Sequence, residues 1–132
     1  MTVYRISSAQ NTRQMVFQYA MQQTIVPVPE HIGAMMLLAL TTGVKAHAIA
    51  NKVLTDIVKA LDGHGIRSVL LKGQGVASYY STPYLRQCGD IDVWVAGSHK
   101  DTVRALSAEW HVYSVLWQEC KVGFFDDTIV EV

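Results

Sequence analysis

Asp62-Gly63-His64-Gly65 cuts the sequence in two, and the hydrophobic rhythm differs on either side of it. Two glycines within four residues supply the left-handed backbone that ends a helix. Before this stop, Ile49, Val53, Ile57 and Leu61 recur every fourth residue, and Leu54 and Val58 widen the same stripe. Lys45, Lys52, Asp56 and Lys59 decorate the other side, so this segment predicts an amphipathic helix. After the stop, Ile66–Leu71 is a strand-like run, and Asp90–Val95 alternates and is rich in β-branched residues, the pattern of a strand. Helices first and strands afterwards predict an α+β domain with a small mixed sheet.

The remaining elements fit that order. Ala9–Gln23 predicts a helix, stopped by Pro27 and Pro29. Glu30–Leu40 predicts a second helix, with Pro29 suited to its first turn and Gly43 as a break or tight bend after it. Val76–Tyr80 predicts a short helix, and Pro83 to Gly89 a loop. Ser98-x-x-Asp101 has the spacing of a capping box, and Val103, Leu106 and Trp110 continue a helical stripe behind it. His111–Glu119 alternates like a strand. Val122–Phe125 and Thr128–Val132 predict a hairpin around Asp126-Asp127. We expect residues 1–64 as a helical region and 65–132 as an α/β core, together one compact domain. The chain stops inside a strand pattern, which predicts a C-terminal truncation and a longer parent protein.

Charge and cysteines narrow the setting. Lys plus Arg and Asp plus Glu both count 11, so no basic excess drives binding to long nucleic acid. Cys88 and Cys120 stand far apart and make neither a Cys-x-x-Cys pair nor a disulfide framework. A reduced, cytoplasmic protein is the expectation. The longest apolar run, Ile32–Leu40, is far shorter than the roughly 20 residues that span a bilayer, so no membrane is expected.

Asp90-Ile91-Asp92 interrupts an apolar strand. Alternation puts Asp90 and Asp92 on one face and Ile91, Val93 and Val95 on the other. Two adjacent carboxylates repel unless a cation neutralises them, and oxygen donors of this kind suit Mg²⁺ or Mn²⁺. Glu131, flanked by Val130 and Val132, is a third carboxylate on an apolar strand. Three acids on neighbouring strands can hold the two ions of phosphoryl or nucleotidyl transfer. Strand-end aspartates that simply face water show the same pattern, so the motif alone leaves both readings open.

Leu70-Leu71-Lys72-Gly73-Gln74-Gly75 lies between a predicted strand and a predicted helix. Glycines there let backbone N–H groups approach a phosphate, and Lys72 adds a point charge. The stretch from Leu70-Leu71-Lys72-Gly73 through Tyr79-Tyr80, Pro83 and Leu85-Arg86 to Gly89-Asp90-Ile91-Asp92-Val93-Trp94-Val95 resembles the uncharacterised nucleotidyltransferase family of the polymerase-β-like superfamily. The distinctive match spans about residues 66 to 96.

That resemblance implies a polymerase-β-type sheet and a mechanism. Asp90 and Asp92 would bind the ions that grip an NTP triphosphate, and Glu131 would complete the site that activates an acceptor hydroxyl. Lys72, Gly73, Gln74 and Arg86 would form the phosphate-binding side, with a structural salt bridge as the alternative role for Arg86. The acceptor would be a small molecule or a protein. Lys72-Gly73-Gln74 stands where the superfamily commonly has Gly-Gly or Gly-Ser. The alternative is a degenerate module that binds a nucleotide or a protein partner, of toxin–antitoxin type for example, without turnover.

Other residues carry less. His31, His47, His64, His99 and His111 are scattered and read as surface or capping residues. Cys88 near Asp90 reads as a small packing residue, and Ser68, Ser78 and Ser81 lack a partnered base. Trp94, Trp110, Trp117, Tyr79, Tyr80 and Tyr84 are expected in the core and the site walls, with Tyr79 or Tyr80 able to stack on a base.

Overall fold

The structure is a computed structural model that describes residues 2–23, 28–87, 89–116, 119–123 and 129–131, with side chains described no further than Val112. Pro27, Cys88, Trp117 and the Asp126-Asp127 turn lie outside the described residues. The chain divides into two units, Met1–Ile49 with Ala77–Cys88, and Ala50–Val76 with Gly89–Val132.

The first unit holds α1 (Thr2–Ala9), α2 (Arg13–Gln22), the N-terminal part of α3 (Glu30–Gly63) and a 3-10 turn at Pro83–Leu85. The single helix expected over Ala9–Gln23 is instead the end of α1 and all of α2. Asn11 explains the break, because it adopts a left-handed φ of 54°. The Thr12 N–H then donates to the Ser7 carbonyl at 2.9 Å and the Asn11 N–H to Ser8 at 3.3 Å. This reversed pair of bonds satisfies the orphan carbonyls at a helix end, and asparagine tolerates the geometry better than most residues.

Gly43 does not break the next helix: α3 runs unbroken through 34 residues. The Pro29 carbonyl opens it, accepting from Ile32 and Gly33, each at 2.9 Å. Gly43 serves close approach instead. A Cβ there would lie 2.7 Å from Gln14 Nε2 and 2.9 Å from its Cγ. By length and composition, α3 is long and apolar enough to cross a membrane, which the nine-residue run considered alone did not show. Met35, Leu37, Leu38 and Val44 are exposed along its N-terminal half.

The second unit holds the end of α3, then β1 (Arg67–Leu70), α4 (Gln74–Ala77, its last residue in the first unit), β2 (Ile91–Ala96), α5 (His99–Ser107), β3 (His111–Leu116), β4 (Glu119–Gly123) and β5 (Ile129–Glu131). Gly65, at φ 70°, ends α3 as expected. The Ile66 N–H reaches the Leu61 carbonyl and the Gly65 N–H reaches Asp62, both at 2.9 Å. Ser98 caps α5, its hydroxyl oxygen accepting from the Asp101 N–H at 3.1 Å.

The sheet order is β1-β2-β5-β4-β3. β1 pairs antiparallel with β2, and β5 lies parallel to β2. β4 pairs antiparallel with both β5 and β3. The sheet is therefore mixed, within an α+β fold. Val53, Ile57 and Leu61 from α3, Ile91 and Val93 from β2, and Ala105 and Leu106 from α5 form the buried core. Ile91 and Val93 take the core face, so the intervening Asp92 points away from it.

Candidate functional site

Strand parity builds the site. Asp90 lies just before β2 and Asp92 inside it, two residues apart. Across the sheet, β1 and β2 pair with Leu70 opposite Val93. The Leu71 N–H continues that pairing by donating to the Asp92 carbonyl at 3.0 Å. One further step brings Lys72 between the two aspartates. Its Nζ lies 3.0 Å from Asp92 Oδ1 and 3.9 Å from Asp90 Oδ2.

The two carboxylates differ in environment. The Asp90 side chain is 53% exposed, whereas that of Asp92 is only 10% exposed. Asp92 Oδ1 has the Lys72 ammonium. Asp92 Oδ2 is buried and has no hydrogen-bond partner among the described residues. Such an oxygen is costly to bury unless something meets it.

Gly73 shapes the turn beside this pair. It has a φ of 61°, and a Cβ there would lie 2.9 Å from the Asp90 carbonyl oxygen. Only glycine accepts both the conformation and the contact without strain. The Gly75 N–H closes the turn onto the Lys72 carbonyl at 3.2 Å. Gln74 is buried, and neither of its amide atoms has a partner among the described residues.

The structure thus brings Lys72, Gly73, Asp90 and Asp92 together. Glu131 enters through backbone register, as the residue paired with Asp92 on the parallel strand β5. Arg86 follows the 3-10 turn and belongs to the first unit, as do Tyr79, Tyr80 and Tyr84. Tyr79 is 90% and Trp94 54% exposed, so of the expected places, core or site wall, neither takes the core. Among the described residues, no three His, Cys, Asp or Glu side chains converge to hold a metal ion.

The sequence did not show the Lys72–Asp92 contact or the burial of Gln74. The signal for the first is the antiparallel register: a lysine two places past a strand end meets whatever its neighbour carries there. Nothing in the sequence singles out Gln74's burial.

With that geometry in hand, comparison with known proteins gives one match. Residues 1–112 match a family described as uncharacterised nucleotidyltransferase. The chain belongs to this family. No curated protein matches it, and no solved structure does. The matched region takes in Lys72, Gly73, Gln74, Arg86, Asp90 and Asp92, while Glu131 lies beyond its end. The expected resemblance is therefore shown for most of the chain.

Proposed function

We propose that this nucleotidyltransferase family member moves a nucleoside monophosphate from an NTP to a hydroxyl group of a small molecule or protein, on a polymerase-β-type site. The observation that carries the reading is the state of Asp92. Its carboxylate is almost wholly buried, with one oxygen on Lys72 and the other without a partner among the described residues. A hard divalent ion fits that donor set: carboxylate oxygens only, a second aspartate two residues away, and Glu131 opposite in the sheet register. Mg²⁺ or Mn²⁺, when bound, would neutralise phosphate charge and acidify the acceptor hydroxyl.

In this reading Asp90, Asp92 and Glu131 hold the cations, and the Lys72-Gly73-Gln74 turn approaches the phosphates. The acceptor oxygen attacks the α-phosphorus, forming a new P–O bond. The bond from that phosphorus to the bridging oxygen breaks, pyrophosphate leaves with the electron pair, and the hydroxyl proton passes to solvent. The neutral charge balance favours a small or protein acceptor over a long nucleic acid.

The test is incubation of the protein with each α-labelled NTP and Mg²⁺ or Mn²⁺, beside folded Asp90→Ala and Asp92→Ala variants. Label transfer or metal-dependent NTP binding in the wild type, lost in both variants, supports the reading. Metal-dependent binding that survives both substitutions refutes it. Binding without turnover, lost in the variants, favours a nucleotide-sensing module.

A further inference from the structure

We propose that Lys72 is an exchangeable counter-ion: in the nucleotide-free protein its ammonium occupies the cation position between Asp90 and Asp92, and it leaves for the triphosphate when nucleotide and metal arrive together. The inference rests on the carboxylate–cation reading above and gives Lys72 a role in ordering the binding steps.

Three observations carry it. First, Lys72 Nζ touches Asp92 at 3.0 Å while standing 3.9 Å from Asp90. A single charge within reach of both members of a repelling pair stands where a bridging cation would stand. Second, Asp92 cannot fall back on water. Its side chain is 10% exposed, so losing Lys72 without replacement strands a buried charge. A metal ion can meet the charge that Lys72 leaves. Third, the Lys72 side chain is 62% exposed and springs from the turn that Gly73 presses against the Asp90 backbone. It can swing between the carboxylates and an incoming phosphate without a change in the strand.

Charge balance sets the direction of the exchange. One ammonium offsets one of the two aspartates, and Glu131 adds a third acid in the sheet register. Asp92 Oδ2 remains unpartnered among the described residues even with Lys72 in place. A triphosphate offers Lys72 a stronger anion, and its departure frees Asp92 Oδ1. Metal alone must compete with Lys72, so it binds weakly; metal carried in with nucleotide does not compete.

The experiment measures Mn²⁺ binding without nucleotide, by electron paramagnetic resonance of the free ion, to the full chain. The proteins are the wild type, Lys72→Met, Lys72→Arg, Asp92→Asn and Lys72→Met combined with Asp92→Asn, each checked for folding by circular dichroism. Lys72→Gln replaces Lys72→Met if the latter does not fold. Removing the competing charge-assisted contact should tighten Mn²⁺ binding about tenfold or more. Lys72→Arg should stay at the wild-type level, and the double variant should lose the gain. If Lys72→Met binds Mn²⁺ no better than wild type while Asp92→Asn weakens binding, the counter-ion role fails and the carboxylate reading stands. If Asp92→Asn changes nothing in either background, both fail.

Discussion

Replacing Gly73 by alanine sets two penalties against one gain, all readable from the backbone. The residue has a left-handed φ of 61°, which costs a residue with a Cβ roughly 1–2 kcal/mol. The added methyl would also lie 2.9 Å from the Asp90 carbonyl oxygen. That neighbour is main chain and cannot swing aside, so relieving the overlap adds about 1–3 kcal/mol. Against this, alanine restricts the unfolded chain and returns about 0.4–1 kcal/mol. The net is a loss of about 1–5 kcal/mol. In a chain of this size, each kcal/mol lowers the melting temperature by about 3–5 °C. The control is Gly33→Ala. Gly33 lies inside α3, has no atom within 4 Å of an added Cβ, and should gain roughly 0.5–1 kcal/mol. Calorimetry of the two variants should therefore give shifts of opposite sign. A Gly73→Ala protein that melts at or above the wild type would refute the reasoning. Because the overlap pushes on Asp90, the same variant should also bind Mn²⁺ more weakly.

Gly43→Ala should destabilise by up to about 2 kcal/mol, because the gain in helix propensity is smaller than the overlap with buried Gln14. In a chemical-denaturation double-mutant cycle, Gln14→Ala should relieve at least about 0.5 kcal/mol of that loss. Ser98→Ala removes the cap of α5 and should cost about 1 kcal/mol by urea denaturation. Burial holds His47 below the ordinary imidazole range. The unfolded chain therefore takes up the proton first. Stability contributed by neutral His47 is complete above its unfolded pKa of 6.5 and is lost as the pH falls from there through the lowered folded value. Melting temperatures between pH 7.5 and 5.5 should fall less in His47→Gln than in the wild type.

The sequence revealed elements wherever a local rule decided the outcome. Gly65 ends α3 and Ser98 caps α5 because positive φ and hydroxyl capping are short-range chemistry. The same rule was present and passed over at Asn11, whose left-handed turn separates α1 from α2. Gly43 departs from the expected break for a different reason. Glycine marks both helix ends and close helix approach, and the sequence does not show that Gln14 lies opposite. Strand alternation correctly set Ile91 and Val93 on the face opposite Asp92, and the fold buries that face in the core. The exposure of Trp94 follows from the same alternation, which sets it on the face of Asp92.

The site was legible as a pair of acids and no further, because an Asp-x-Asp strand end looks the same whether it binds an ion or faces water. The burial that sets Asp92 apart from Asp90 is tertiary and is not written in the motif. A carboxylate retained only for structure would have both oxygens met by donors, since each unmet one costs free energy. Asp92 has one oxygen met by Lys72 and one that is buried and unpartnered among the described residues. A solvated strand-end aspartate would instead resemble its neighbour Asp90, which is about half exposed. Asp92 fits neither description, and that is the observation on which the proposed cation site rests. Lys72 reaches it only through the antiparallel register of β1 on β2. The lysine that reads in sequence as a phosphate contact thus meets the carboxylates in the folded chain, and the proposed exchange would give one flexible charge on a glycine-shaped turn both partners.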